Sequence, residues 1–328
     1  MYRFQQKLKT LKGHIKQWNK DSLGNIFQEK ERLDRRLQEV QVELHRQGPS
    51  TELKDQEWTL LQELNLKVKQ EEVLFEQKSR NHWLRDGDRN TKFFHKATIQ
   101  HRQCNRIVRL KKEDGSVVEK QKEIEETLNS YYADLLEEPN VDRRQAQSEI
   151  FRHIPRIITQ EHNQILMRPV EMPELEEVVK QMARDKSPGP DGFTTNFFQE
   201  GWEWLKEELL DIVESSRKTR GILKSLNATF LALIPKEHGT EDPRKFRPIA
   251  LCNVIYKIIT KIIANRLRPL LPILISPEQA GFVEGRQILD GIILVHEAIH
   301  SLKQNKSAGM LLKLDLSKSY DKLNWDFL

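Results

Sequence analysis

Apolar side chains in the first 84 residues fall at helical intervals. Phe4, Leu8, Leu11, Ile15 and Trp18 recur at steps of four, three, four and three, and Leu33, Leu37, Val40 and Leu44 repeat the pattern after a weak point at Gly24. A 3.5-residue seam of this kind lets one helix pack along another and by itself carries no chemistry. The segment Gln47-Gly48-Pro49-Ser50 interrupts it, because Gly and Pro stop a helix and Ser50 can cap the next one. A second helical pattern follows with Leu53, Leu61, Leu64, Val68 and Phe75. A short turn between two such helices predicts an antiparallel helical hairpin, a coiled-coil-like arm over residues 1–84. The seam could close within the chain or between chains, so self-association through these helices is a candidate interaction.

Further along, the period changes several times. Ile107 to Leu110 and Val117-Val118, around Glu113-Asp114-Gly115, predict a small β-hairpin. Residues 121–136 read as helix, and residues 139–173 are punctuated by proline and less regular. Glu174 to Met182 is helical and is ended by Lys186-Ser187-Pro188-Gly189-Pro190-Asp191-Gly192, the densest turn signal in the chain. Residues 196–220 return to helix. The continuous apolar run Thr229 to Ile234 predicts a strand buried on both faces, closed by Pro235. A polar loop leads to a second extended piece, Phe246 to Leu251. Helices are expected at Ile255–Leu271 and Leu289–Leu302, and a final strand at Met310–Ser317. The fold class is therefore mostly α with a small β component (α+β). Its divisions are a helical arm over 1–84, a basic linker region over 80–170, a third region over 171–309 and a short last one over 310–328.

Composition narrows the class. Hydrophobic residues make up 37% and charged residues 31% of the 328, against about 45% and about 25% in an average domain. Part of the chain is thus expected to be long, solvated helix, while the second half holds enough Leu, Ile, Val and Phe for a core. No apolar run is long enough to span a bilayer, and MYRFQQKLKTLK lacks the apolar stretch of a secretory signal. Cys104 and Cys252 are too far apart in sequence for a disulfide framework and fit a reducing, intracellular compartment. No zinc site is expected, and no G-x-S-x-G elbow is present for a hydrolase.

The net charge of +5 is unevenly spread. Between residues 80 and 112 stand Arg80, Arg85, Arg89, Lys92, Lys96, Arg102, Arg106, Arg109, Lys111 and Lys112 against only Asp86 and Asp88, a surplus larger than that of the whole chain. Trp83, Phe93 and Phe94 are interleaved with them. Cations neutralise phosphates and aromatic faces stack on bases, so this stretch is a candidate RNA-binding patch; a solvated helix face is the plainer alternative. In the last strand Met310, Leu312, Leu314 and Leu316 share one face, and Lys313, Asp315 and Ser317 the other. At a sheet edge Asp315 would be unremarkable; facing a cleft it is a Mg²⁺-ligand candidate, since that ion takes one or two carboxylates together with substrate phosphates. Lys236 and Arg247 flank the loop of the hairpin predicted over 229–251. They could meet there as point and fork cations for a triphosphate, or merely solvate the loop.

Lys313 to Trp325 (KLDLSKSYDKLNW) closely resembles motif A of the reverse transcriptases of non-LTR (LINE-type) retrotransposons, most of all those of plants. Lys186 to Phe193 (KSPGPDGF), Phe246 to Ala250 (FRPIA) and Gln279 to Arg286 (QAGFVEGR) stand in that family's order, and Trp83 to His95 (WLRDGDRNTKFFH) is similar to the stretch preceding its polymerase. The resemblance covers residues 80–328. It implies the fingers over 171–309 and the start of the palm over 310–328 of a right-hand RNA-directed DNA polymerase. An RNA template, a DNA primer and deoxynucleoside triphosphates would be its partners, in a nuclear or cytoplasmic ribonucleoprotein.

The resemblance also implies roles for single residues. Asp315 matches the aspartate that ligates two Mg²⁺ ions, with the backbone carbonyl of Leu316 as a further ligand. Tyr320 matches the aromatic side chain that packs under the sugar and excludes a 2′-OH, though an ordinary core aromatic fits that position too. Lys236 and Arg247 would hold the incoming nucleotide, and Gly281, Gly285, Arg286 and Arg266 would lie along template or primer. The family's second motif, Tyr or Phe, any residue, then Asp-Asp, does not occur, and the chain ends 13 residues after Asp315. Tyr132-Ala133-Asp134-Leu135 has a single Asp and is no substitute. The 328 residues are therefore expected to be a fragment, inactive as a polymerase by themselves and prone to aggregate. A non-catalytic RNA-binding scaffold and a maturase-type reverse transcriptase are the alternatives.

Overall fold

A computed structural model describes residues 1–48, 50–79, 91–137, 143–277, 279, 281, 283–310 and 312. In chain order the elements are α1 (Tyr2–Trp18), α2 (Ile26–Gln47), α3 (Thr51–Ser79), α4 (Thr91–Asn105), β1 (Leu110–Lys111), β2 (Val117–Val118), α5 (Gln121–Leu136), α6 (Arg144–His153), α7 (Gln160–Met167), α8 (Met172–Gln181), α9 (Thr195–Glu200), α10 (Trp202–Thr219), β3 (Thr229–Pro235), β4 (Phe246–Cys252), α11 (Val254–Leu267), α12 (Leu271–Leu274) and α13 (Ile288–Gln304). The fold is mostly α with a small β component, as the periodicities require. Among the described residues no helix is long and apolar enough to cross a membrane. The chain divides into two compact units: residues 1–106, 183–240 and 246–254, and residues 107–182, 241–245 and 255–328.

In the first unit α2 and α3 form the predicted antiparallel pair. Leu33, Leu37, Val40 and Leu60 are its buried core, with Leu44, Leu53, Leu61 and Leu64 packed around them. Each end of the pair has a local cause. Asn25 caps α2 through its side chain, which accepts from the Phe27 and Gln28 amides. Gly48 takes φ +83° in the turn, and the Ser50 hydroxyl caps α3 by accepting from the Leu53 amide at 3.1 Å. The seam thus closes within the chain. It does not run on unbroken into α1, because a π-turn over Asn19–Leu23 and Gly24 at φ +60° re-aim the chain. On α1 only Phe4 and Leu8 are buried, whereas Leu11, Ile15 and Trp18 are exposed. Lys7 and Glu208 pair between α1 and α10.

The same unit holds the antiparallel β3–β4 hairpin, paired from Thr229 with Cys252 to Pro235 with Phe246. The expectation of a strand buried on both faces is corrected here. No β3 side chain is fully buried, and Phe230, Leu231 and Ile234 are exposed. The sheet has only two strands, so neither edge nor either face is fully covered.

The second unit contains the small β1–β2 hairpin, with Leu110 opposite Val118 and Gly115 at φ +85° in its turn. Its buried side chains include Leu110, Ile124, Leu128, Leu175, Val178, Val179, Ile255 and Ile258. At the end of the described chain, Met310 and Leu312 are not in a strand and are 92% and 73% exposed, which corrects the expected strand at those two positions. The rest of that strand lies outside the described residues.

Candidate nucleotide and nucleic-acid sites

The β3–β4 register decides where the hairpin's cations go. Ile234 pairs with Arg247 and Pro235 with Phe246, and Lys236 is the next residue out. Both cations therefore lie at the open end of the hairpin, and both are exposed. Among the described residues neither is ion-paired, so each keeps its donors for an external anion. Phe246 is 3% exposed, so β4 is seated at this end while Arg247 beside it stays in solvent.

The root of the hairpin is built differently. Asn253, at 1% exposure, donates from Nδ2 to the carbonyls of Ser225 (3.0 Å) and Leu226 (3.2 Å), and its Oδ1 accepts from the Asp191 amide at 3.1 Å. The KSPGPDGF turn is thereby laid against the end of β4. The turn also has a local contact, Asp191 Oδ1 accepting from the Phe193 amide, and a long-range one, Lys12 Nζ of α1 donating to the Asp191 carbonyl at 2.6 Å.

Two arginines expected along template or primer are used inside the second unit. Arg266 is buried and makes five hydrogen bonds: Nε and Nη2 to Glu174, Nη1 to the carbonyls of Leu166 and Arg168, and Nη2 to that of Pro169. A guanidinium has five N–H donors, so none remains for a phosphate. In this structure Arg266 ties α11 to α8 and to residues 166–169. Arg286 donates to the carbonyls of Pro272, Ile275, Ser276 and Gln279, folding the QAGFVEGR loop back on the end of α12. Gly285 takes φ +81°, which L side chains resist.

The basic stretch is distributed over both units. Lys96, Arg102 and Arg106 are exposed in the first; Arg109, Lys111 and Lys112 are exposed in the second, with Arg109 paired to Glu241. Phe94 is 4% exposed, so it cannot stack on a base as its sequence context suggested; Phe93 meets it edge-on. Arg80, Arg85, Arg89 and Trp83 lie outside the described residues, as does the side chain of Lys92.

Between the end of α3 and α4 lies a groove of about 520 Å³ lined by Lys78, Thr98, His101, Arg102, Asn105 and Arg106. Sequence reasoning missed Lys78 and His101. The available signal was spacing, since 98, 101, 102 and 105 fall on one helical face. The second unit has a cavity of about 930 Å³ between the β1–β2 turn, α5 and residues 242–244. Its lining carries more carboxylates than cations: Glu113, Asp114, Glu123, Glu126, Asp134 and Asp242 against Lys111, Lys112 and Arg244. There the Arg244 guanidinium donates from Nε to Oδ1 and from Nη2 to Oδ2 of Asp242 and holds its carboxyl below the usual value of 3.8. The Ser116 hydroxyl and amide lower Asp114 in the same way.

Asp315, Leu316 and Tyr320 lie outside the described residues. The donor set they offer, one carboxylate and one carbonyl oxygen, is the hard-oxygen class that Mg²⁺ takes. Among the described residues no three ligating side chains come together. Sequence reasoning misses one histidine pair: His296 and His300 of α13 flank Glu297 at H-E-x-x-H spacing. Both are exposed, and without a third ligand among the described residues the spacing defines no metal centre.

Residues 234–328 match the reverse transcriptase (RNA-dependent DNA polymerase) family. The matching stretch runs from the end of β3 onward, and three relatives extend the similarity. The Transposon TX1 uncharacterized 149 kDa protein of Xenopus laevis is 29% identical over 251 residues, which are 76% of this chain and 19% of that protein. The Retrovirus-related Pol polyprotein from type-1 retrotransposable element R2 of Nasonia vitripennis is 28% identical over 158 residues, 48% of this chain and 15% of its own length. The corresponding R1 polyprotein of Bradysia coprophila is 24% identical over 159 residues, 48% of this chain and 16% of its own length. Over these stretches the chain is similar to the polyproteins of non-LTR retrotransposons. It spans less than a fifth of the length of these curated relatives.

Proposed function

We propose that the chain contributes the fingers and the first palm aspartate to a protein that copies an RNA template into DNA from a primer 3′-OH. The observation that carries this reading is the β3–β4 register, which gathers Lys236 and Arg247 at one end of the hairpin in the stretch that matches the polymerase family. Arg247 offers a planar fork and Lys236 a point charge, and together they would neutralise and orient the phosphates of an incoming deoxynucleoside triphosphate. Asp315 and the Leu316 carbonyl would hold Mg²⁺, which when bound stabilises charge on the attacking and leaving oxygens. Tyr320 would pack under the sugar and exclude a 2′-OH. The sequence holds no Tyr/Phe-x-Asp-Asp motif, so the 328 residues alone are expected to bind triphosphate without incorporating it.

The α3–α4 groove supports an RNA contact outside the nucleotide site, with backbone phosphates neutralised by Lys78, Arg102 and Arg106. The work of such a protein places it inside the cell as a ribonucleoprotein. Titration with a fluorescent deoxynucleoside triphosphate and Mg²⁺ tests the main reading. Binding should weaken in Arg247→Ala and in Lys236→Ala, and Arg247→Lys should recover only part of it. Equal affinity in all four proteins would overturn the assignment.

A further inference from the structure

Between its ends the β3–β4 hairpin is poorly held. Phe230 is 58% exposed, and Leu231, Ile234 and Ile249 about 40% each. Helix α4 runs alongside β3, and two buried residues anchor the hairpin's ends, Phe246 near the cationic end and Asn253 at the root. They differ in kind. Packing around Phe246 resists separation but sets no direction, because the hydrophobic effect is non-directional. The hydrogen bonds of Asn253, whose side chain is buried, are directional and join two different segments: its Nδ2 reaches the carbonyls of residues 225 and 226 before β3, and its Oδ1 holds the 186–193 turn.

Gly189 makes the fit at this point strict. A Cβ at Gly189 would stand 2.4 Å from Asn253 Oδ1, 2.5 Å from Asn253 N and 2.6 Å from the Cys252 carbonyl carbon. Two of those atoms are backbone, so no side chain can be accommodated unless the end of β4 moves. On the outer side Lys12 of α1 closes the same turn by donating to the Asp191 carbonyl, and Gly192, at φ +85°, passes directly beneath that lysine.

We propose that Gly189, the Asp191 amide and Asn253 form a clasp that fixes the direction of the β3–β4 hairpin, with Asn253 acting as a positioning residue for Arg247 and Lys236. The proposal rests on the reading that those two cations hold the triphosphate. Six residues of strand separate Asn253 from Arg247, about 20 Å at the rise of an extended chain. A tilt of about 5° at the root then carries the guanidinium nearly 2 Å sideways, enough to break a bidentate phosphate contact. The KSPGPDGF turn acts on the nucleotide from a distance through this clasp, and α1 supports it, which gives the amino-terminal helix a part in nucleotide binding.

Hydrogen–deuterium exchange and triphosphate titration on the full chain test the proposal together. Gly189→Ala and Asn253→Ala should each raise exchange in residues 229–235 and 246–252 while α2 and α3 stay protected. Each should weaken triphosphate binding roughly tenfold or more, and the double variant should be little worse than either single one. Arg247→Ala should weaken binding with hairpin exchange unchanged, which separates gripping from positioning. Unchanged hairpin exchange in the first two variants, or a loosened hairpin with unchanged affinity, would overturn the proposal. So would a wild-type chain that binds no triphosphate. In that case altered exchange would still locate the failure in the nucleotide reading rather than in the clasp. Should Asn253→Ala also lose protection in α2 and α3, Lys12→Ala, a half-buried and milder change, decides the matter. It should raise exchange in the 186–193 turn and weaken triphosphate binding in the same direction, and no effect on either would count against the clasp.

Discussion

Arginines show how far residue type alone can mislead. Arg266 and Arg286 have the same charge as Arg247 and stand in the same polymerase-like half of the chain, yet their donors are taken up by backbone carbonyls and, for Arg266, by the Glu174 carboxylate. Arg266→Ala would strip the largely buried Glu174 carboxylate of its two close charge-assisted hydrogen bonds, leaving Arg168 at 3.9 Å, a change that costs up to about 3–5 kcal/mol in such pairs. Urea unfolding should show that loss, with triphosphate affinity unchanged in the fraction that remains folded. Arg266→Lys should not restore stability, because three donors on a flexible stem cannot meet five acceptors. A second prediction concerns Asp242. Its carboxyl is held below 3.8 by Arg244, so the ionised form is favoured in the folded state. The stabilisation is fully present above the ordinary carboxylate range and is lost as pH falls through the lowered folded value. Carboxyl NMR should show Asp242 titrating below a denatured-state reference, and Arg244→Ala should bring it back up.

Among the elements, the α2–α3 pair was the most legible. Its seam, its break at Gly48 and its Ser50 cap are all local signals, and a helix that buries one stripe declares that stripe in its spacing. Leu37→Ala should cost about 2–5 kcal/mol through the cavity it leaves, whereas Trp58→Ala, at a side chain 65% exposed, should stay within about 0.5 kcal/mol; thermal melts followed by circular dichroism distinguish the two. The β3 run was read with the right extent and the wrong environment. A continuous apolar strand says that both faces can be buried, but burial needs neighbours, and a two-stranded sheet has too few.

For the molecule as a whole, the basic stretch is the feature that tertiary structure changed most. The six described cations of the stretch are shared between two units, and one that did not belong to it, Lys78, joins Arg102 and Arg106 in a groove. RNA binding should therefore weaken steeply with salt. Arg102→Glu with Arg106→Glu should lower the slope of log affinity against log salt by more than the roughly 0.7 expected per lost single-strand contact. Filter binding at several salt concentrations measures it, and a slope unchanged from wild type would remove the groove from the interface. The family resemblance, the helix content, the two strands and the meeting of Lys236 with Arg247 at the loop end of their hairpin were open to sequence reasoning, because each follows from order and spacing along the chain. The saturation of Arg266, the burial of Phe94, the exposure of β3 and the meeting of Gly189 with Asn253 were not. Each depends on which segments distant in sequence come within a few ångströms, and hydrogen-bond geometry and excluded volume act only once they do.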